Sequence, residues 1–440
     1  MPTFLIQTLG CKLNQLESEA IADAFARDGF TGAKIENEDK PSVVIINTCT
    51  VTSKADQKAR RVIRKAMRDY PDARVIVTGC YAQLNRDDIL KLEKDGSGRL
   101  SVACKDKIIS KEKNDLFQFN PKKFSQHTRS FLKIQDGCDK SCTYCKIRLA
   151  RGPSVSLDKD EVLSRLLVLE ETHAEAVLTG VNICQYKFNG NNYSGQSTGG
   201  DLRELLDFLL SNTERIAIRL SSLAPQNVYE RFCRVLSHPR IRPHFHLSVQ
   251  SGSGKILERM GRTYDAQTVE RAVSFLRGVK DDPFLACDII TGFPGETETE
   301  FEQTLNLCRK LDFAWIHVFP YSKRQGTPAF SFKDTATESE VTKRAQILTD
   351  LAKHGRAGYV QRWIGRDVDV LTEDFGHKTR ALEGELNKKI CRGTTGNYLK
   401  ALVSCNDEEP PLPGTVLHCR LTGLGDLKSF DAAAVKLGTQ

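Results

Sequence analysis

The sequence predicts an α/β protein in three parts: an amino-terminal parallel sheet, a six-stranded partial (β/α) barrel and a small carboxyl-terminal β-barrel. Before residue 120, apolar runs of strand length alternate with amphipathic helical patterns. From residue 131 to 319 a β-like run recurs six times, mostly separated by helical patterns. After residue 364 the helical period stops and five short strand-like runs follow. With 440 residues and 40% hydrophobic content, the chain can build more than one core. The expected domains are 1–120, 124–362 and 364–440.

In the first part the runs Phe4 to Gln7, Val43 to Ile46 and Arg74 to Val77 alternate with helical patterns at Glu17 to Asp28 and Lys54 to Tyr70, the signature of a parallel sheet. Each run ends in a turn that delivers a cysteine: TLGCKLNQ gives Cys11, NTCTVT gives Cys49 and TGCYAQ gives Cys80. Ligands gather outside the carboxyl ends of strands in open α/β sheets, so these three cysteines are expected to converge as a three-thiolate cluster site. The plain alternative for any one of them is a small core residue. Cys104, after a fourth run at Leu100 to Ala103, is a further candidate ligand by position. The helix from Lys54 to Arg68 carries seven basic residues and one acid, Asp56. Lys54, Lys58, Arg61, Lys65 and Arg68 form one stripe, and Ala55, Ala59, Val62 and Ala66 form another. The basic stripe is either a solvated face or a phosphate-contacting one.

In the central part the runs are Phe131 to Gln135, Ala176 to Thr179, Ile216 to Leu220, His246 to Val249, Cys287 to Ile290 and Trp315 to Phe319. The first is followed by QDGCDKSCTYCKIRLARGPS, residues 135–154, in which Cys138, Cys142 and Cys145 stand in a C-x-x-x-C-x-x-C pattern. Thiolates on so short a loop wrap one face of a cubane cluster, each on a different iron, and leave the fourth iron without a protein ligand. The alternative is a zinc knuckle, but zinc wants four tetrahedral ligands and no second cysteine pair follows nearby. The other strand-end loops read TGVN, LSSLAP, SVQSGS, TGFPGE and FPYSKR, clustering small and polar residues where barrel chemistry sits. Glycine there permits close backbone approach, and Asn, Ser and Gln supply donors. His244 and His246 read as satisfied barrel or loop histidines, and Cys184 as a further cysteine near the rim. Cys233, Cys287, Cys308, Cys391, Cys405 and Cys419 read as small core residues. The polar stretch Lys187 to Gly200 is expected to be a mobile loop beside the mouth.

A helix over Glu338 to Trp363 links to the last part, with strands expected at Val368 to Leu371, Thr379 to Glu383, Tyr398 to Val403, Val416 to Leu421 and Ala432 to Leu437. Small barrels of this kind often bind single-stranded nucleic acid, although only Lys388, Lys389 and Arg392 form a basic cluster here. The net charge of +8 permits a polyanion partner without demanding one. Fourteen cysteines in so long a chain, with no signal peptide at the start and no apolar run of membrane-spanning length, point to a reducing cytoplasmic setting.

The cysteine loop, with Tyr144 just before its last cysteine, resembles that of the radical S-adenosylmethionine superfamily. The whole chain resembles the methylthiotransferase family, through TLGCKLNQLESE, INTCTVT, TGCYAQ, CTYC followed by ARG, LTGVNI, RLSSLAP, HLSVQSGS, DIITGFPGET, FPYSKRQGTPA and GNYLKALV. TLGCK with NQ, CTYC and LARG look most like the branch that modifies threonylcarbamoyladenosine 37 of tRNA; the branches acting on isopentenyladenosine or on a ribosomal protein usually differ in these words. Lys146-Ile147-Arg148-Leu149 departs from the apolar residues and proline more usual after the third cysteine.

The resemblance implies a methylthiotransferase amino-terminal domain, a radical S-adenosylmethionine barrel and a TRAM RNA-binding domain. It implies two 4Fe-4S clusters, an auxiliary one on Cys11, Cys49 and Cys80 and a radical-generating one on Cys138, Cys142 and Cys145. S-adenosyl-L-methionine would lie against Tyr144, Gly180, Asn182, Ser222, Gln250, Glu296 and Phe319. In the family's chemistry a 5′-deoxyadenosyl radical takes hydrogen from carbon 2 of the target adenine, and the auxiliary cluster delivers a methylated sulfur. The expected partners are a tRNA anticodon loop, an electron donor of flavodoxin or ferredoxin type and a sulfur donor, with no membrane. Readings from other classes are an iron-sulfur electron carrier or redox sensor, which would normally cap all four irons, and an RNA-binding protein with structural zinc.

Overall fold

The computed structural model describes residues 1–33, 40–103, 130–191, 197–333, 336–373, 389–405 and 411–437. The first sheet comprises β1 (Thr3–Thr8), β2 (Thr31–Gly32), β3 (Val43–Thr48), β4 (Arg74–Gly79) and β5 (Leu100–Val102) in the order β2-β1-β3-β4-β5, parallel throughout. Its middle strand is apolar on both faces because helices cover both. Val44 and Ile46 pack with Ala59, Ile63 and Ala66 of the helix Ser53–Asp69. Ile45 packs on the other side with Ala20 and Ile21 of the helix Lys12–Arg27.

The central part begins at β6 (Ser130–Asp136), with the short β7 (Val155–Ser156) on its edge. β8 (Glu175–Gly180) leads into a hairpin of β9 (Lys187–Asn191) and β10 (Ser197–Asp201). β11 (Ala217–Leu220), β12 (His244–Gln250), β13 (Phe284–Thr291) and β14 (Trp315–Pro320) complete the set. β6, β8 and β11 pair in parallel, as do β12, β13 and β14. The two groups join through a bridge between Ile218 and Ile241 and a hydrogen bond of 2.7 Å from Leu223 N to His246 O. Among the described residues β14 and β6 do not pair, so the six-stranded barrel is open on one side. Alternation along the strands turns Leu132, Ile134, Leu178, Ile218, Leu247 and Ile289 toward the surrounding helices. It leaves Lys133, Gln135, Glu175, Arg219, His246 and Asp288 on the inner face, so this barrel has a polar interior.

The amino-terminal sheet covers the opening. Leu13 and Leu16 of the helix Lys12–Arg27 pack on Phe131 of β6 and Val177 of β8. On the far side Ser53 N donates to Ser322 Oγ at 2.8 Å, and Arg324 reaches Asp56 at 2.8 Å and Thr50 O at 2.9 Å. Beyond β14 the helix Glu338–Trp363 leads to β15 (Asp367–Thr372), β16 (Lys389–Thr395), β17 (Lys400–Cys405), β18 (Val416–Leu424) and β19 (Ala432–Lys436). These close into a barrel in the order β15-β16-β17-β19-β18. Tyr398, between β16 and β17, seats this barrel against the central one, its ring 4.1 Å from that of His244.

The strand expected at Thr379 to Glu383 lies outside the described residues; a strand not expected from the sequence, Lys389–Thr395, completes the five of the barrel, its basic start concealing the alternation that buries Cys391. One expectation changes. The stretch Lys187 to Gly200, expected as a mobile loop, pairs as the antiparallel hairpin β9–β10, because Phe188 anchors it to the barrel core. Cys104 and Lys388 lie outside the described residues. No helix among the described residues is long and apolar enough to cross a membrane.

Candidate functional site: two cysteine triads joined by an arginine

Cys11, Cys49 and Cys80 follow β1, β3 and β4, three adjacent strands, at their carboxyl ends. Gly10 is at φ +115°, and a Cβ there would lie 2.7 Å from that of Cys49, so a glycine before Cys11 is what lets these two cysteines approach. Burial pushes the Cys49 thiol up to about 11, and the nearby thiols of Cys11 and Cys80 add to the shift. Cys49 and Cys80 are buried and Cys11 is exposed; a cationic iron cluster would hold its cysteine ligands as thiolates against such burial. Asn14 secures the turn: its Nδ2 donates to Leu9 O at 2.8 Å and Thr48 O at 3.0 Å.

Cys138, Cys142 and Cys145 lie on the loop after β6, tied down from several sides. Cys138 N donates to Gly152 O at 3.1 Å and Thr143 N to Met260 O at 3.0 Å; Thr143 O accepts from Ala329 N at 2.8 Å. Burial pushes the Cys145 thiol up to about 11, with Cys142 and Cys138 adding to it. Among the described residues no three His, Cys, Asp or Glu side chains close around a single point as ligands of one ion would. Cubane ligands need not do so, since each thiolate takes a different iron and the sulfurs stand a cluster's width apart.

The helix Ile147–Arg151, directly after Cys145, packs on the helix Cys80–Leu84. Arg151 joins the two loops: Nε points at Cys80 Sγ, 3.3 Å away, and Nη1 reaches Glu17 at 3.0 Å and Asp136 at 3.1 Å. Lys133 completes a buried group with Asp136 and Glu17. Burial opposes the charge on Arg151, but Glu17, Cys80 and Asp136 outweigh it and hold the guanidinium protonated. For Lys133 burial prevails over Asp136 and Glu17, and its pKa falls. Sequence reasoning missed this group. Its one trace in the sequence was Lys133 at an inward position of β6, together with the arginine of LARG.

The remaining expected site residues divide by position. Tyr144 packs edge-on to Phe293, 6.3 Å between centroids, below the cysteine loop. Asn182 Nδ2 lies 3.9 Å from Cys138 Sγ, and its backbone N–H donates to Gln135 Oε1 at 2.8 Å. Gly180 sits against Gln135, which also donates to Gly137 O at 2.8 Å, so Gln135 shapes the cysteine loop without having been singled out. Ser222 Oγ is 2.6 Å from His246 Nδ1, and His246 Nε2 is 3.2 Å from Asp288. Gln250 is buried at φ +69°, and Phe319 is exposed at the end of β14. Glu296 is buried, its carboxylate accepting from Gly292 N–H and facing Arg344; it shapes the TGFPGE turn. Cys184 Sγ accepts from Ala224 N at 3.2 Å.

Lys54, Lys58, Arg61, Lys65 and Arg68 are all exposed on the helix Ser53–Asp69, whose buried face is Ala59, Ile63 and Ala66. That helix begins beside Arg324. Val51 and Leu149, which follow Cys49 and Cys145 in the chain, and Phe319 near the end of β14 are large apolar side chains left exposed.

A C-x-x-x-C-x-x-C loop above a partial (β/α) barrel is the arrangement of a radical S-adenosylmethionine protein. Residues 132–308 match the Radical SAM superfamily, and residues 3–97 match the family described as Uncharacterized protein family UPF0004. The chain is 38% identical to Threonylcarbamoyladenosine tRNA methylthiotransferase MtaB of Treponema pallidum (strain Nichols), over 90% of this chain and 93% of that one. It is 34% identical to the MtaB of Thermotoga maritima, over 85% and 87%, and 31% identical to that of Bacillus subtilis (strain 168), over 91% and 90%. A solved radical S-adenosylmethionine methyltransferase, TsrM of Kitasatospora setae, is 14% identical with a TM-score of 0.48, covering 75% of this chain and 77% of that one. The chain belongs to the threonylcarbamoyladenosine tRNA methylthiotransferase family.

Proposed function

We propose that this protein adds a methylthio group to carbon 2 of threonylcarbamoyladenosine at position 37 of tRNA. The observation that carries the reading is the contact between the helices after Cys145 and at Cys80, which sets one cysteine triad against the other with Arg151 between them. When bound, a 4Fe-4S cluster on Cys138, Cys142 and Cys145 would supply the radical chemistry on S-adenosyl-L-methionine, and a second on Cys11, Cys49 and Cys80 the sulfur.

The chain's own residues bind, orient and exclude. The Thr143, Met260 and Ala329 contacts fix the cysteine loop. Asn182, beside Cys138, and Ser222, beside His246, present polar groups at the strand ends that would bind the amino acid and ribose ends of the cofactor. The exposed apolar side chains of Val51, Leu149 and Phe319 would receive a base, and an anticodon-loop base is already single-stranded and splays out at low cost. The basic helix Ser53–Asp69 and the carboxyl-terminal barrel would hold the RNA backbone. A flavodoxin- or ferredoxin-type protein would supply electrons.

The test is nucleoside mass spectrometry of tRNA from cells lacking the protein. Loss of the 2-methylthio derivative with accumulation of threonylcarbamoyladenosine is expected; an unchanged profile overturns the reading.

A further inference from the structure

The inner face of β14 is open to solvent where a closed barrel would be filled. Along this strand Ile316 and Val318 pack in the outer core, so by alternation Trp315, His317 and Phe319 face inward. Inward side chains of a closed barrel pack on one another. Here His317 and Phe319 are exposed and Trp315 is half-buried, so a chamber remains inside the barrel along its edge strand, beneath the sheet that covers the flank.

The chamber is lined by rings and one spare donor. Asp288 is the register partner of His317 on β13, and the His317 ring stands edge-on to that of His246, 5.2 Å between centroids. Trp315 Nε1–H donates to His317 Nδ1 at 3.2 Å. An indole nitrogen can only donate, so Nδ1 is the acceptor and the imidazole carries its proton on Nε2. Among the described residues nothing accepts that proton. Further along the inner face of β12, His244 lies 4.1 Å from the ring of Tyr398. Lys12, which directly follows Cys11 of the first triad, brings Nζ to 5.4 Å from the same ring. A flat heterocycle with an acceptor nitrogen in its plane suits these walls, and a purine is such a ring.

We propose that this chamber seats an adenine ring, with His317 Nε2–H donating to a ring nitrogen and Trp315 and Phe319 against the base. Adenine could come from the RNA or from the adenosine of S-adenosyl-L-methionine. The RNA base is favoured because the ring that receives sulfur belongs beside the triad that would supply it, and it is the turn of Cys11 that reaches the chamber through Lys12. The inference rests on the proposed function and deepens it by naming the residues that read the base.

The experiment locates the base by photo-crosslinking. An anticodon stem-loop RNA with 8-azidoadenosine at position 37 is irradiated on the full-length, cluster-loaded protein, and the joined peptide is identified by mass spectrometry. The peptide containing β14 is expected, in a yield that saturating S-adenosylhomocysteine leaves unchanged. A join to other peptides only, those of Val51 or Leu149 included, overturns the proposal, and so does the absence of any join. Loss of the β14 join on adding S-adenosylhomocysteine overturns it as well, giving the chamber to the cofactor's adenosine. Equilibrium binding supplies the second arm. The unsubstituted protein should prefer the stem-loop with adenosine at position 37 over the one with uridine by about tenfold or more. His317→Phe, which keeps a ring but loses the donor, should cut that preference by about fivefold, and His317→Gln, which can still donate, should hold it within about twofold. If His317→Phe keeps the preference, or weakens both RNAs equally, the proposal falls. Failure of the broader reading is distinct: cells lacking the protein would then retain the methylthio nucleoside, whichever peptide the RNA joins.

Discussion

Arg151→Met should loosen the seat of the amino-terminal sheet on the barrel. The guanidinium is 6% exposed and faces Glu17 and Asp136, themselves 1% and 3% exposed, with Lys133 as the other cation in the group. Methionine approximates its length but leaves both carboxylates to share one buried ammonium. Removing one partner from such a group costs about 3–5 kcal/mol, since the charge left behind has no water to turn to. The helix Lys12–Arg27 carries Glu17, so the loss should appear as local opening there, with amide exchange faster by on the order of 10²- to 10³-fold. Hydrogen exchange read by mass spectrometry at peptides spanning residues 12–27 measures it. Adding Glu17→Gln removes one surplus negative charge, so the double variant should exchange more slowly than Arg151→Met alone. Exchange within about threefold of the unsubstituted protein, or strictly additive effects, would refute the idea that Arg151 balances these acids.

Further outcomes follow from the two triads and their surroundings. Replacing any one of Cys138, Cys142 and Cys145 by Ala should abolish 5′-deoxyadenosine formation by the dithionite-reduced protein; normal yield would sink that assignment. The triple Ala variant at Cys11, Cys49 and Cys80 should lose about half its iron and still cleave S-adenosyl-L-methionine, yet make no methylthio product; iron content unchanged would count against a second cluster. Burial pushes Glu296 up to about 7 against the pull of Gly292 N–H and Arg344. A carboxyl whose folded pKa lies above its ordinary 4.5 favours the fold fully below pH 4.5, and that contribution is lost as pH rises through about 7. Glu296→Gln should therefore remove a decline of up to about 3 kcal/mol across that window, read from urea midpoints at pH 5 and pH 7.5; parallel pH profiles would exclude it. Changing Lys58, Arg61 and Lys65 together to Gln should flatten the log-log salt slope of tRNA binding by roughly two to three units. An unchanged slope would make the stripe a solvated face only.

What was legible in the sequence is what local pattern encodes. β3 is an uninterrupted apolar run because both its faces are covered, and the helix Glu338–Trp363 shows its limits through a capping box at Thr337 and Glu340. The cysteines of the first triad were placed at strand ends by counting runs, and the strands do end there. The strand Lys389–Thr395 of the last barrel was missed because Lys389 and Arg392 mask an alternation in which Cys391 faces inward. The Arg151 group was illegible for another reason. Its members come from three elements, Glu17 on one helix, Lys133 and Asp136 on β6 and Arg151 on another helix, and no spacing announces that a helix of one domain will present Glu17 to a strand of the next.

Six strands in place of eight explain why the site needs the amino-terminal sheet at all. A closed barrel would fill its interior with its own side chains, whereas this one keeps an open flank between β14 and β6. The apolar part of the closure is small, with Leu13 and Leu16 on Phe131 and Val177, and charge does the rest at both ends. Arg151 with Glu17 secures one end and Arg324 with Asp56 the other. Both ties stand next to a cysteine triad, Arg151 against Cys80 and Asp56 six residues beyond Thr50, whose carbonyl Arg324 also holds. The same contacts that dock the sheet thus fix the separation of the two triads. An ion pair is intolerant of displacement in a way that an apolar face is not. Under the proposed function a sulfur would pass from one loop to a base held by the other, which gives a reason to set that distance with charge.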